Sequence, residues 1–119
     1  MTVISKNVAR GDFIIHRGSA ESLCVMCEED KRDGKNFVPI DMSGWSATFE
    51  LITPHVAEKD VIYSQACRCS RYGAVIADIP SDAVDDFDYD FTNTGEWRIF
   101  GTSPSGDREL LGWGYYQII

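Results

Sequence analysis

The residues of this chain whose types suit chemistry are its four cysteines, its two histidines and a run of aspartates. Cys24-x-x-Cys27 and Cys67-x-Cys69 have the close spacing of zinc ligand pairs. Cys24 lies in Ser22-Leu23-Cys24-Val25-Met26-Cys27, which reads as a strand, and a period of two sends residues three apart to opposite faces of a sheet. Structural zinc sites usually present each ligand pair from a tight turn, and neither Val25-Met26 nor Arg68 resembles one. The thiols are therefore read as reduced, buried or half-buried side chains, with no metal expected. Asp82, Asp85, Asp86, Asp88 and Asp90 form the acidic run. Asp86-x-Asp88-x-Asp90 copies the first half of a calcium-binding loop, but Phe91 stands where that loop needs Gly and Trp97 where it needs a bidentate Glu. In extended form the three acids share one face and Phe87, Tyr89 and Phe91 the other, which describes a solvated edge over a core.

The remaining motifs point away from catalysis. His16 and His55 are far apart, and no Ser or Cys occupies a Gly-x-Ser-x-Gly context. Gly112-x-Gly114 lies inside a strand pattern and opens no helix, so it forms no phosphate loop. Arg10-Gly11-Asp12 spells the tripeptide of integrin ligands, but the strand that follows consumes Asp12, and the match is read as coincidence. The expectation is a protein that is not an enzyme and carries no cofactor.

Composition bounds the class. A chain of 119 residues makes one domain, residues 1–119, with 44% hydrophobic and 12% aromatic residues for its core. Nineteen acids against eleven basic residues give a net charge of -8, which disfavours nucleic acid and anionic lipid as partners. Met1-Thr2-Val3-Ile4-Ser5-Lys6 lacks the apolar core of a signal peptide, and no apolar run approaches the roughly 20 residues that span a bilayer. Folding in a cytosol, without secretion through a signal peptide or membrane insertion, is the expectation.

The elements that must position these residues are short strands. Gly11 to Arg17 and Glu21 to Glu28 read as the first two, and Phe37-Val38-Pro39-Ile40 as a brief third after a charged turn with Asp33-Gly34. Trp45, Ala47, Phe49 and Leu51 alternate with Ser46, Thr48 and Glu50 up to Pro54, the clearest strand of the chain. Asp60 to Ser70 runs extended, Tyr72-Gly73 turns, and Ala74 to Ile79 follows with Val75, Ala77 and Ile79 on one face before Pro80. Ser81 is a good N-cap for one short helical turn. Gly95 to Phe100, a Pro104-Ser105-Gly106-Asp107 turn and Leu110 to Ile119 close the chain as a hairpin. The pattern predicts an all-β fold: a two-layer antiparallel β-sandwich of about seven strands, immunoglobulin-like, with at most that one helical turn.

Arg17-Gly18, Asp41-Met42-Ser43-Gly44-Trp45, Gly73-Ala74-Val75-Ile76-Ala77-Asp78-Ile79-Pro80, Gly95-Glu96-Trp97, Gly106-Asp107 and Leu110-Leu111 follow one another along nearly the whole chain. In that order they resemble the β-sandwich modules of siphophage and prophage tail-tip and baseplate proteins. Met42 and Ser43 replace the usual Leu and Thr, and Trp97 stands where Tyr is common. The resemblance implies a structural protein that docks with other tail or baseplate proteins, or with itself as a homo-oligomer. Its place would be the virion, or the host cytoplasm during assembly. A stand-alone carbohydrate- or small-ligand-binding sandwich is the alternative, since such folds hold sugars against exposed Trp and Tyr.

The closing hairpin divides into two faces. Pairing Ser103 with Arg108 sets Trp97 opposite Gly114 and Ile99 opposite Gly112, with Leu110 and Tyr116 on the same face, large against small. That face is the expected core. The other face carries Arg98, Phe100, Leu111, Trp113 and Tyr115, with Arg98 opposite Trp113 at cation–π range. So much apolar surface is either an interaction surface, a face covered by another segment, or the second half of a rich core.

Overall fold

Period-two alternation and turn-forming glycines set the elements of this chain, and the structure, a computed structural model, describes residues 8–30, 37–52, 60–85 and 93–119. Its strands are β1 (Ala9–Arg10), β2 (Phe13–Ile15), β3 (Glu21–Met26), β4 (Glu28–Asp30), β5 (Phe37–Pro39), β6 (Ser46–Ile52), β7 (Val61–Ala66), β8 (Arg68–Cys69), β9 (Ala74–Ile79), β10 (Thr94–Thr102) and β11 (Arg108–Ile118). No helix occurs among the described residues. The turn expected at Ser81 is a pair of overlapping reverse turns, in which Ala83 N donates to Pro80 O at 3.1 Å and Asp85 N to Asp82 O at 3.2 Å. Residues 86–92 and His55, on which the acidic-edge reading and one histidine fall, lie outside the described residues.

One sheet has the order β1-β11-β10-β6-β7, with β2 also paired to β11; a second has the order β3-β9-β8; β4 and β5 form a small ribbon. The extended run expected over Asp60 to Ser70 is divided at Cys67, so that β7 closes the edge of the first sheet and β8 the edge of the second. Of the first strand expected over Gly11 to Arg17 only β2 is extended; β1 precedes that range, Gly11-Asp12 separates the two, and both pair with β11 in parallel rather than antiparallel. Gly11 N still donates to Trp113 O at 3.2 Å, so the break keeps the edge of β11 occupied.

The core lies between the two sheets. Phe49, Leu51, Trp97, Ile99, Tyr116 and Ile118 come from the first sheet, and Val25, Val75, Ala77 and Ile79 from the second, all at most 4% exposed. The Phe49 and Trp97 rings stack with centroids 6.5 Å apart, and Phe13 meets both at 6.4 and 6.0 Å. Glycines make room for these rings. A Cβ on Gly112 would stand 2.9 Å from Val25 Cγ2 and 3.2 Å from the Trp97 ring, so the two sheets approach over Gly112 as closely as they do because no side chain is there.

The hairpin register is as expected over its first half, with Trp97 opposite Gly114, Arg98 opposite Trp113 and Ile99 opposite Gly112. It then slips by one residue: Phe100 faces Leu110, and Thr102, not Ser103, faces Arg108. The loop is Ser103 to Asp107, closed by Ser103 N to Asp107 O at 2.8 Å and Gly106 N to Ser103 O at 2.9 Å. The extra residue is Leu111, a β-bulge that turns it inward, where it is 1% exposed. Leu111 therefore belongs to the core and not to the outer surface on which period two alone placed it. Leu110, expected in the core, takes its place outside, half-buried beside Phe100.

Candidate docking face

The outer face of the first sheet gathers the arginines and aromatics of the hairpin. Across the strands, Arg10 of β1 lies beside Trp113 of β11, Trp113 faces Arg98 of β10, and Arg98 faces Glu50 of β6. A second row sets Leu110 against Phe100 and Phe100 against Thr48. Four of the five sequence-expected surface residues, Arg98, Phe100, Trp113 and Tyr115, stand on this face, Tyr115 about half exposed and the others half-buried.

Their side chains form a ladder of cations and rings. The Arg10 guanidinium lies 4.5 Å from the Trp113 ring centre and 5.1 Å from that of Tyr115. Trp113 and Tyr115 meet edge to face at 6.0 Å. Phe100 receives two guanidiniums, Arg98 at 5.6 Å and Arg108 at 3.7 Å. The ring quadrupole attracts each cation, and the stacks hold flat, long side chains down on the sheet. The cation–π contact expected between Arg98 and Trp113 goes instead to Phe100, which lies on the same strand as Arg98 two residues on.

Asp12 locks the ladder at the β1 end. Its Oδ1 accepts from Tyr115 N at 3.0 Å and from Arg10 Nη1, and these two hydrogen bonds, the backbone one first, hold its carboxyl below the usual carboxylate range. Arg10-Gly11-Asp12 is thus folded onto the sheet, Arg10 over aromatic rings and Asp12 bonded to it, with Asp12 in the break before β2 and not inside the strand expected to consume it. Beside it an open groove of about 360 Å³ is lined by Asp12, Phe13, Ile14, Tyr115, Tyr116 and Gln117.

The cysteines lie apart from this face. Cys24 is exposed on β3, not buried or half-buried as expected of the thiols, and Cys27 is buried, the opposite orientation expected of residues three apart. Burial, with the nearby Cys69 adding to it, pushes the Cys27 thiol up to about 11 and the Cys67 thiol up to about 12. All four thiols are free, and no group of three or more His, Cys, Asp or Glu side chains is assembled for a metal among the described residues.

Sequence reasoning missed Arg10, Arg108 and Leu110. Leu110-Leu111 carried a readable signal, because two adjacent apolar residues inside an alternating strand mark a bulge. Nothing in the sequence reveals that Arg10 runs parallel to β11.

The strand order defines the class. β6, β10 and β11 take the C, F and G places of an immunoglobulin-like sandwich, β7 extends that sheet as C′ in the variable type, and β3, β9 and β8 take the B, E and D places. The inter-sheet disulfide of antibody domains has no counterpart, since β10 contains no cysteine. This chain is therefore an immunoglobulin-like β-sandwich. No known family profile and no curated protein matches the sequence. Among solved structures it is similar to a voltage-gated sodium channel beta subunit described for multimeric cell-adhesive interactions, at 9% identity over 92% of each chain with a TM-score of 0.42. It is also similar to the extracellular domain of the voltage-gated sodium channel beta4 subunit, described as a parallel homodimer in cell–cell adhesion. There the identity is 8%, the coverage 92% of this chain and 91% of that one, and the TM-score 0.37. The fold class rests on the strand order itself.

Proposed function

We propose that this chain is a non-enzymatic docking module of a phage or prophage tail-tip or baseplate assembly, binding a neighbouring assembly protein through the outer face of β10 and β11. It acts in the virion, or in the host cytoplasm while the particle is built. The observation that carries this reading is the ladder of Arg10, Trp113, Tyr115, Phe100, Arg98 and Arg108 on the solvent side of a sheet whose other side already fills the core. Aromatic residues and arginine are the types enriched at interface centres. The strands of β10 and its neighbours offer a surface roughly 19 Å by 30 Å at the usual spacings, or about 570 Å². That is the order of the roughly 800 Å² per partner of a standard interface. The assembly itself is supported by the resemblance of Asp41–Trp45, Gly73–Pro80 and the closing hairpin to tail-tip and baseplate sandwich modules.

Light scattering after co-expression with the products of flanking genes tests the proposal. The expected result is a defined complex with a tail or baseplate protein. A strict monomer that binds none of them contradicts it.

The groove beside Tyr115 favours a second reading, a carbohydrate-binding sandwich. It sets a half-exposed ring next to the carboxylate of Asp12 and the amide of Gln117, the groups that stack on and hydrogen-bond to a sugar. Glycan-array binding that disappears in Trp113→Ala and Tyr115→Ala would favour it over assembly.

A further inference from the structure

The arginines of the described residues divide sharply by partner. Arg10 and Arg68 are ion-paired to Asp12 and Asp78, Arg17 donates to Val84 O at 3.0 Å, and Arg71 donates to the Tyr72 hydroxyl at 2.6 Å. Among the described residues, Arg98 and Arg108 make no ion pair or hydrogen bond with their guanidinium groups, in a chain where nineteen acids face eleven basic residues. Arg98 has a buried Nε with no acceptor, although Glu50 lies opposite it in the register. Both guanidiniums rest on the same ring, that of Phe100, at 5.6 and 3.7 Å. Their separation therefore cannot exceed the sum of those two distances.

Two cations held so close repel each other, and a buried N–H without an acceptor is costly. A carboxylate on each relieves the repulsion, because the planar fork of arginine matches a carboxylate and gains most where one side is already covered by a ring. An extended segment with acids at alternate positions presents them on one face about 6.8 Å apart, within the limit set by Phe100. The net charge of -8 does not forbid such a partner. At physiological salt, charges beyond about 8 Å are screened while contacting pairs are not.

We propose that Arg98 and Arg108, braced on Phe100, are a receptor for the carboxylates of an acidic, extended segment of the partner protein. The proposal rests on the docking reading and names the chemistry of the partner.

The test is NMR titration of the full chain, following the arginine Nε–H and Trp113 indole signals. The probes are two synthetic peptides, acetyl-Thr-Asp-Val-Asp-Val-Asp-Thr-amide and its Asn-for-Asp counterpart. The expected result is that the Asp peptide moves the Arg98 and Arg108 signals and binds at least about tenfold more tightly than the Asn peptide. Arg98→Gln with Arg108→Gln should remove that preference. Arg108→Gln alone, at an exposed position, should weaken it with the fold intact if the double variant fails to fold. Equal binding of the two peptides, no binding of either, or an undiminished preference in the variants would overturn the proposal. The docking reading is judged separately: a natural complex that survives the arginine changes but is lost in Trp113→Ala keeps the face and discards the carboxylate receptor.

Discussion

The indole Nε1 of Trp97 donates a 2.8 Å hydrogen bond to the carbonyl oxygen of Gly11, joining the centre of β10 to the break between β1 and β2. The bond passes over Gly114, where a Cβ would stand only 1.7 Å from that same oxygen and 2.7 Å from Nε1. Gly114→Ala must push the N-terminal strands off β11, and a loss of about 3 kcal/mol or more is expected. Trp97→Phe keeps an aromatic ring but shrinks it and leaves the Gly11 oxygen without its donor, an expected loss of about 2–4 kcal/mol from the cavity and the missing hydrogen bond together. Urea unfolding followed by tryptophan-independent circular dichroism measures both. Arg10 should detach from Trp113 first in Gly114→Ala, seen as a shifted Trp113 indole signal.

The bulge gives a paired prediction. Leu111→Ala opens a cavity in the core and should cost about 2–5 kcal/mol, whereas Leu110→Ala, on the outer face, should cost less than about 1 kcal/mol. An uninterrupted period of two predicts the reverse order. Thermal unfolding of the two variants side by side decides between them.

The thiols predict an alkaline limit to stability. The folded Cys27 and Cys67 thiols ionise near 11 and 12, while the same groups ionise near their ordinary value of 9.0 once unfolded. Raised folded values mean stability that is present below pH 9 and is lost as pH climbs from 9 toward 12. Burial also pushes the Tyr116 hydroxyl up to about 12, which steepens the upper end. Urea midpoints at pH 8 and pH 10.5 should fall, and fall less in a Cys27→Ala, Cys67→Ala variant. At pH 8 a thiol reagent should label exposed Cys24 quickly, half-buried Cys67 more slowly and buried Cys27 only on unfolding.

Much of the architecture was legible where one face of a strand is wet. Residues 46–51, 74–79 and 95–99 alternate in burial, so the inward residues Phe49, Val75 and Trp97 could be named from period alone. The pairing of Trp97 with Gly114 and Ile99 with Gly112, reached by setting Ser103 opposite Arg108, holds beyond the bulge although Thr102 faces Arg108 at the turn. Legibility stopped where non-local hydrogen bonding decides. A one-residue bulge exchanges the faces of Leu110 and Leu111 without changing composition, and the parallel pairing of Arg10 with Trp113 spans most of the chain. The candidate face was therefore half visible: its rings and Arg98 could be read, but Arg10 and Arg108, which complete the ladder, could not.

The central claim is that the Trp113–Tyr115 face binds a protein of the same assembly. Its most direct test is the mass, by light scattering, of complexes formed with the flanking tail or baseplate gene products by the natural chain and by a Trp113→Ala, Tyr115→Ala variant of unchanged fold. The natural chain should form a stoichiometric complex and the variant should remain a free monomer. A complex that persists in the variant, or none with the natural chain, would contradict the claim.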